Sequence, residues 1–381
     1  MSVEPSRSAR TPPAPIPLTV LTGFLGAGKT TLLNRLLADP ALADTAVLIN
    51  EFGEVGLDHL LVEAVSSERV LLASGCLCCT VRGDLVDSLE KLLRDRDNGR
   101  VAFSRVVIET TGLADPAPVL HTIMQHPYLV LRFRLDGVVT LVDAVNGAAT
   151  LDAHPEAVKQ AAVADRLVLS KTDLASGAAA KPALTARLRA LNPAAPILDA
   201  AAGEATAARL IDAGLYDPAT KTADVRRWLA AERYAEAHAH HHHSEDHAHA
   251  HDRNRHDDRI RAFVLTGDRP IPASAFDMFV DLLRALHGPD LLRVKGIVNV
   301  ADAPDRPVVV HGVQHVFHPP ATLPAWPDAD RRTRLVFITR DLPEAKVRAL
   351  FDAFLDTPRP DTPDRAALID NPLVPFGGRD R

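Results

Sequence analysis

The first half of the chain alternates between short apolar runs and longer amphipathic segments. The apolar runs predict strands at residues 17–21, 45–49, 69–72, 105–108, 137–142, 166–169 and 196–198. Helical periodicity fills most of the gaps, for example at residues 30–37, 85–93 and 183–191. This order is typical of a mostly parallel sheet covered by helices on both faces. Such sheets bind ligands at the carboxyl ends of their strands, so function is expected at that edge.

The pattern stops near Leu215, and residues 234–258 are polar, charged and rich in histidine, as in a linker. Beyond the linker, the periodicity predicts a strand at residues 260–266 and an amphipathic helix at 273–286. Further strands are predicted at residues 291–300, 308–317 and 334–339, and a final helix at 343–355. This order predicts an antiparallel sheet with helices on one face, which is a separate α+β domain.

The length of 381 residues favours two folded units, although a single α/β domain of this size is also compatible. We predict a flexible N-terminus at residues 1–15, an α/β domain at 16–220, a histidine-rich linker at 221–259, a smaller α+β domain at 260–358 and a tail at 359–381.

The net charge of −6 argues against a general electrostatic affinity for nucleic acid or for an anionic membrane. No apolar run approaches the roughly 20 residues that a membrane-spanning helix needs. The N-terminus also lacks the apolar core of a signal peptide. We therefore expect a cytoplasmic protein with neither a nucleic acid nor a membrane as partner.

Directly after the first predicted strand, residues 23–30 read Gly-Phe-Leu-Gly-Ala-Gly-Lys-Thr. Gly23 and Gly28 allow backbone conformations in which successive amides point at phosphate oxygens. Lys29 then reaches the β and γ phosphates, and Thr30 offers a hydroxyl to Mg²⁺. An accidental glycine turn is the alternative, but the strand before and the helix after disfavour it. The expected phosphate-loop contacts come from Gly23, Gly26, Ala27, Gly28, Lys29, Thr30 and Thr31.

The predicted strand at 105–108 ends in Glu109-Thr110-Thr111-Gly112. An acid followed by a glycine at this place is expected where Mg²⁺ and the γ phosphate are sensed. Glu109 would act on the metal through water, and the Gly112 amide would approach the γ phosphate. Residues 113–118 would move with Gly112 as a switch segment.

A further strand ends in Ser170-Lys171-Thr172-Asp173. Asp173 is placed to accept hydrogen bonds from N1 and N2 of guanine, which adenine does not present in that form, so the pattern favours GTP. Ser170 stands where the usual GTPase pattern has asparagine, and this departure is expected to weaken one supporting hydrogen bond. Asp173 could alternatively, or in addition, cap the following helix.

All the cysteines of the chain, Cys76, Cys78 and Cys79, lie on one turn after the predicted strand at 69–72. Thiolates select Zn²⁺ or Cu(I), and Zn²⁺ ordinarily takes four ligands. The fourth ligand could be Glu54, His126, a water or a group on a partner. The alternatives are cysteines buried for packing, or a redox pair of Cys76 and Cys79.

Histidines recur from His238 to His256 within an acidic stretch. Neutral imidazole binds zinc, nickel, cobalt and copper without strong selectivity. We interpret the run as a segment that scavenges or buffers metal rather than as the high-affinity site. A solvated linker with incidental histidines is the alternative.

Together these motifs closely resemble those of the CobW-type GTPases. The resemblance includes Asn50-Glu51-Phe52-Gly53-Glu54-Val55-Gly56, and it extends to Leu292-Arg293-Val294-Lys295-Gly296 and Gly312-Val313-Gln314 near the C-terminus. It implies a P-loop GTPase domain at residues 16–220 and a CobW C-terminal domain at 260–358.

The resemblance implies a GTPase that uses GTP and Mg²⁺ and couples hydrolysis to delivery of Zn²⁺, or of Co²⁺, to a client protein. Its catalytic residues would be Lys29, Glu109 and Gly112, and homo-oligomerisation is left open. Two other classes remain, namely a metal-independent GTPase switch and a nickel-insertion GTPase. Chain order adds a further prediction, that the cysteines lie at the nucleotide-binding edge and that GTP changes their affinity for Zn²⁺.

Overall fold

The computed structural model describes residues 14–50, 71–74, 81–211, 259–318 and 320–355. The first unit contains a seven-stranded sheet in the order β3-β2-β4-β1-β5-β6-β7. Its strands are β1 (Ile16–Gly23), β2 (Thr45–Asn50), β3 (Leu71–Ser74), β4 (Arg105–Glu109), β5 (Phe133–Asp143), β6 (Arg166–Ser170) and β7 (Ile197–Asp199). Every pairing between these strands is parallel, as predicted.

Helices cover both faces of this sheet. They are α1 (Lys29–Leu37), α2 (Val81–Asp97), α3 (Ala117–Gln125), α4 (Leu129–Arg132), α5 (Gly147–Ala153), α6 (Pro155–Ala162), α7 (Ala175–Leu191) and α8 (Ala207–Leu210), with a 3-10 turn at Pro40–Leu42. The central strand β1 is buried on both faces, with Leu18 and Val20 enclosed on one face and Thr19 and Leu21 on the other. This explains why its sequence is continuously apolar rather than alternating.

Two differences from the sequence prediction have a clear cause. Helix α7 begins at Ala175, eight residues before the predicted start at 183. Its first eight residues are mostly exposed and therefore carry no apolar periodicity. Strand β5 begins at Phe133, four residues before the predicted start at 137, because the charged Arg134 and Asp136 break the apolar run.

The second unit is an antiparallel sheet in the order β11-β10-β9-β13-β8, with β12 also paired to β10. Its strands are β8 (Ile260–Gly267), β9 (Leu291–Val298), β10 (Val308–Val313), β11 (Val316–Phe317), β12 (Ala321–Thr322) and β13 (Thr333–Arg340). Its helices are α9 (Ala273–His287) and α10 (Glu344–Leu355), with a 3-10 turn at Gly288–Asp290. Both helices pack on one face of the sheet around Phe279, Phe337 and Phe351, which confirms the predicted α+β arrangement.

The single strand predicted at 308–317 is wrong, because the chain reverses within it. Gln314 has φ 53°, and the two short strands on either side of the turn pair antiparallel, with Gly312 opposite Phe317. The apolar run continues across this turn, so periodicity alone does not reveal it.

The face of the second sheet away from α9 and α10 lies against the first unit. Ala162 at the end of α6 packs with Leu292 and Ile338. Near α3, the ring Nε2 of His121 lies 3.1 Å from the Val313 carbonyl oxygen. The two units therefore share a buried interface.

Buried charges lie at the centre of this interface. Arg293 and Lys295 of β9 both donate to Oδ1 of Asp165, which directly precedes β6. The other carboxylate oxygen of Asp165 accepts the Val138 amide at 2.9 Å. Burial alone would raise the pKa of Asp165, but Arg293 and Lys295 hold it far below its usual value.

Among the helices in the described ranges, none combines the length and the apolar character that crossing a bilayer would require.

Candidate functional site

The loop after β1 has the backbone that the glycine spacing predicts. Gly23, Gly26 and Gly28 have φ values of 144°, 72° and 89°, which residues with a side chain rarely adopt. At Gly23 an added Cβ would also lie 2.5 Å from the Leu141 carbonyl oxygen of β5. Glycine is therefore required both for the conformation of the loop and for its packing.

The first residues of α1 face the end of β4. Thr30 donates from Oγ1 to Oε1 of Glu109 at 2.9 Å, and Glu109 is buried. The Lys29 ammonium lies 3.4 Å from the Phe24 carbonyl oxygen, across the loop. A hydroxyl and a carboxylate in contact at the end of a phosphate loop are the hard oxygen donors that suit Mg²⁺. The donor set therefore fits that ion.

Gly112 brings the segment after β4 against the phosphate loop. An added Cβ at Gly112 would lie 2.5 Å from the Leu25 amide nitrogen and 2.7 Å from the Leu25 Cα. Only glycine allows the two backbones to approach so closely. The side chains of Leu25 and Leu113 remain 59% and 50% exposed beside this contact, although both are apolar.

Helix α6 holds the segment after Gly112. Gln160 donates from Nε2 to the carbonyl oxygens of Gly112 at 3.1 Å and Ala114 at 2.9 Å. Lys159 forms an ion pair with Asp115 at 3.0 Å. The sequence alone does not reveal these residues, since a single glutamine in an alanine-rich helix carries no motif.

Ser170 and Lys171 connect the segment after β6 to its neighbours. Ser170 donates from Oγ to the Ala27 carbonyl oxygen at 2.7 Å, so the serine keeps a hydrogen bond to the phosphate loop. Lys171 has φ 58° and contacts Oδ2 of Asp143 at 2.7 Å. Burial alone would raise the pKa of Asp143, but hydrogen bonds from Lys171 and Asn146 hold it below its usual value.

Asp199, at the end of β7, holds the side chain of Thr172, the residue before Asp173. Its Oδ1 accepts from the Thr172 hydroxyl at 2.5 Å, and its Oδ2 accepts from Lys181 at 2.6 Å. Burial opposes ionisation, yet these bonds lower the pKa of Asp199 to about 2, so it stays charged. Asp173 itself is exposed, and α7 starts beyond it with Leu174 as the capping position and no side-chain cap. Asp173 therefore does not cap the helix in this structure.

The predicted zinc ligands are only partly described. His126 ends α3, and its Nδ1 lies 3.4 Å from the Leu129 amide. Glu54, Cys76, Cys78 and Cys79 and the run from His238 to His256 lie outside the described residues. Within the described part of the chain, no three histidine, cysteine or acidic side chains are grouped to hold a metal.

The strand that leads to the cysteines is described. β3 pairs in parallel with β2, with Ser74 opposite Asn50, and β2 pairs with β4, with Ile49 opposite Glu109. This confirms the prediction that these three strands share one sheet. The segments that leave β2, β3 and β4 therefore start from neighbouring points on the same edge.

Comparison with known families gives two matches. Residues 17–199 match the model of the CobW/HypB/UreG nucleotide-binding domain. Residues 260–355 match the model of the cobalamin synthesis protein cobW C-terminal domain.

Individual proteins match over most of the chain. It is 35% identical over 337 residues to the zinc chaperone YjiA of Escherichia coli (strain K12), covering 88% of this chain and 98% of that protein. It is 31% identical over 386 residues to the zinc chaperone CobW of a Sinorhizobium species, covering 91% and 99%. A crystal structure of Zn(II)-bound YjiA GTPase from E. coli superposes with a TM-score of 0.63 at 28% identity, covering 90% and 99%.

Proposed function

We propose that this chain, which belongs to the CobW family of P-loop proteins, is a GTPase that couples GTP hydrolysis to the transfer of Zn²⁺ to a client protein. The observation that carries the nucleotide part is the meeting of three elements at one edge of the sheet. These are the glycine loop at 23–28, the Thr30–Glu109 contact and the close approach of Gly112 to Leu25. Relatives named zinc chaperones support the metal part.

In this proposal Lys29 and the start of α1 balance the charge of the β and γ phosphates. Thr30 would hold Mg²⁺ through its hydroxyl, Glu109 would act on the ion through water, and the ion would supply positive charge to the phosphate oxygens. Gly112 lets the backbone approach the γ phosphate, so the segment that follows it can respond to whether GTP or GDP is bound.

Asp173 selects the base. Its carboxylate is exposed to accept from guanine N1 and N2, while Thr172 beside it is held by Asp199. Ser170 ties the same segment to Ala27 of the phosphate loop. The phosphate and base sites are therefore linked by a direct hydrogen bond, which supports their acting on one nucleotide.

Zn²⁺ is the cargo in this proposal, with Co²⁺ as the alternative ion. Its ligands would be the thiolates of Cys76, Cys78 and Cys79, with Glu54 completing the set. His126, the other candidate, follows α3 and lies shortly before β5 begins at Phe133, which is at the opposite edge of the sheet. The pairing of Ser74 with Asn50 supports this, because the cysteine segment and the Glu54 segment leave from adjacent strand ends. Ordering of either segment by GTP would change the shape of the metal site.

The test is a competitive Zn²⁺ titration against a chelator, in the presence of GDP and of a non-hydrolysable GTP analogue. Couplings of this kind are typically about 1–3 kcal/mol, so we expect the Zn²⁺ affinity to differ by roughly 5- to 150-fold between the two nucleotides. A triple variant with serine at Cys76, Cys78 and Cys79 is expected to lose this binding while keeping its affinity for GDP.

Equal Zn²⁺ affinity in both nucleotide states would refute the coupling. A protein that hydrolyses GTP but does not bind stoichiometric Zn²⁺ through the cysteines would instead support the metal-independent switch. A site that takes nickel in preference to zinc would support the nickel-insertion class.

A further inference from the structure

Gln160 is a buried polar residue on an otherwise apolar side of α6. It is 1% exposed, and its neighbours Ala157, Val158 and Ala161 are also buried. A buried amide is costly unless it is hydrogen-bonded, so its partners indicate why it is there. Those partners are the Gly112 and Ala114 carbonyl oxygens, both bound by one amide nitrogen.

The segment that Gln160 holds has unusual freedom. Gly112 must lack a side chain to approach Leu25, and the same lack removes the steric limits on its backbone. A glycine backbone keeps a defined orientation only if something else fixes it. The bond from Gln160 to the Gly112 carbonyl fixes the peptide group that follows Gly112, and the bond to Ala114 fixes the next turn of chain.

Helix α6 is itself firmly anchored. The Thr140 hydroxyl of β5 donates to the Gln160 main-chain carbonyl at 2.8 Å. At the end of the helix, the Asn192 side-chain amide donates to three carbonyl oxygens, those of Ala161, Ala162 and Ala164. Gln160 therefore projects from a fixed frame.

Gln160 also lies close to the phosphate loop. It lines a cavity of about 110 Å³ together with Gly26 and Ala27. Its Oε1 is buried and has no hydrogen-bond partner among the described residues. Both bonds to the Gly112 segment are made by Nε2, so the side chain acts on this segment purely as a donor.

We propose that Gln160 is a positioning residue for GTP hydrolysis, which holds the Gly112 segment where it meets the γ phosphate. This inference rests on the GTPase function proposed above. It does not make Gln160 a catalytic residue, because its amide contacts the main chain of the segment rather than the reacting atoms.

Loss of the Gln160 hydrogen bonds is expected to affect the GTP-bound state and the GDP-bound state differently. Only GTP has the γ phosphate that the Gly112 segment would contact, so loss of the Gln160 bonds is expected to affect the GTP state and the chemical step. A merely structural role would instead weaken the binding of both nucleotides together.

The experiment compares the full-length wild type with Gln160→Leu, which has similar size and suits a helix but cannot donate. We measure kcat and KM for GTP, and the affinities for fluorescent GDP and for a non-hydrolysable GTP analogue. Since small displacements of a positioning group can cost about 100-fold in rate, we expect kcat to fall by about 10- to 100-fold. The affinity for GDP is expected to stay within about twofold of wild type.

Asn299→Leu is the matched control, because Asn299 also donates a buried side-chain amide to a main-chain carbonyl, that of Arg331, at 2.8 Å in the second unit. It is expected to lower thermal stability and to leave kcat unchanged. Lys159→Met is a second test variant with a half-buried side chain, so its folding is at less risk. It breaks the ion pair with Asp115 and is expected to lower kcat by a smaller factor.

The role of Gln160 is overturned if kcat of Gln160→Leu equals that of wild type, or if the affinities for the GTP analogue and for GDP fall equally. Neither outcome contradicts the proposed GTPase function. Should Gln160→Leu fail to fold, an unchanged kcat in Lys159→Met overturns the role of Gln160. Absence of GTP hydrolysis by the wild-type protein overturns the proposed function itself.

Discussion

The Thr30 hydroxyl donates a 2.9 Å hydrogen bond to the buried Glu109 carboxylate, and this contact joins the start of α1 to the end of β4. The two residues are 79 positions apart in the sequence, and the parallel sheet brings them to one edge. If they share Mg²⁺, the charge of Glu109 matters as well as its hydrogen bond.

We expect Glu109→Gln to keep the fold and to raise the Mg²⁺ concentration needed for half-maximal GTP hydrolysis. Removing a charged partner of a metal site typically costs about 10- to 100-fold in metal affinity or activity. The measurement is a Mg²⁺ titration of kcat. Asp277→Asn, an exposed acid on α9, is the control for loss of one negative charge. An unchanged Mg²⁺ dependence in Glu109→Gln would show that Glu109 has no part in holding the ion.

Asp173→Asn is expected to change base preference. Guanine donates from N1 and N2 to a carboxylate, whereas xanthine carries a carbonyl at position 2 that can accept from an asparagine amide. Two bonds to a charged group at about 1.5 kcal/mol each correspond to roughly 100-fold in GTP affinity. XTP should bind the variant better than wild type. The measurement is competition by GTP, XTP and ATP against a fluorescent GTP analogue.

Wild-type protein that binds ATP and GTP equally would contradict the assignment of Asp173. Asp277→Asn again serves as the charge control. A variant that loses GTP, XTP and GDP alike would indicate a folding defect, which circular dichroism detects.

The sequence predicts those parts of the site that are encoded locally. The glycines of the phosphate loop occur at fixed spacing within eight residues, and Glu109 and Ser170 each end an apolar strand, so pattern and position suffice for them. Gln160 acts on a carbonyl 48 residues away and has no spacing that would reveal it. Only the packing of α6 against the segment after β4 makes this contact visible.

The interface between the two units is hidden from the sequence for the same reason. Arg293 and Lys295 occur in a motif that the family resemblance includes, but their partner Asp165 lies 128 and 130 residues earlier. The turn at Gln314 also escapes prediction, because apolar residues stand on both sides of it. Periodicity reports which side chains are buried, and not which distant residues meet them.

Arg293→Met is expected to destabilise the protein. Arg293 is buried, and its removal leaves Asp165 enclosed with Lys295 as the remaining charged partner. Breaking a buried ion pair by removing one partner typically costs about 3–5 kcal/mol, and the remaining lysine places the expected loss near the lower end. Urea unfolding of the full-length chain measures it.

The double variant Asp165→Asn with Arg293→Met separates pairing from packing. We expect its loss to be smaller than the sum of the two single losses, because the second change removes the charge that the first leaves uncompensated. Strictly additive losses would mean that the two side chains do not interact in the folded state.

Two histidines beside the same buried charges are expected to make the stability of the protein sensitive to acid. The ring centroids of His311 and His318 lie 5.9 Å apart. Nη2 of Arg293 lies 3.0 Å from Nε2 of His311. Burial has the largest influence on the pKa of both histidines, and it disfavours the charged imidazolium. Lys295 and Arg293 lower the pKa of His311 further, and Arg293 does the same for His318, while Asp165 opposes them. The pKa of His318 falls to about 4, and that of His311 lies well below its usual value.

An unfolded histidine has a pKa near 6.5, so below that pH the unfolded chain binds more protons than the folded one. Stability therefore falls as the pH is lowered from about 6.5 toward 4, and it is fully retained above about 7. At pH 5 the loss from His318 alone is expected to be about 2 kcal/mol. His318→Phe removes this titration, and since Nε2 of His318 has no partner among the described residues, its removal breaks no hydrogen bond of that nitrogen. We expect this variant to unfold in urea like wild type at pH 7.5, and to lose less stability than wild type between pH 7.5 and 5. An identical loss in both proteins would place the acid sensitivity at other groups.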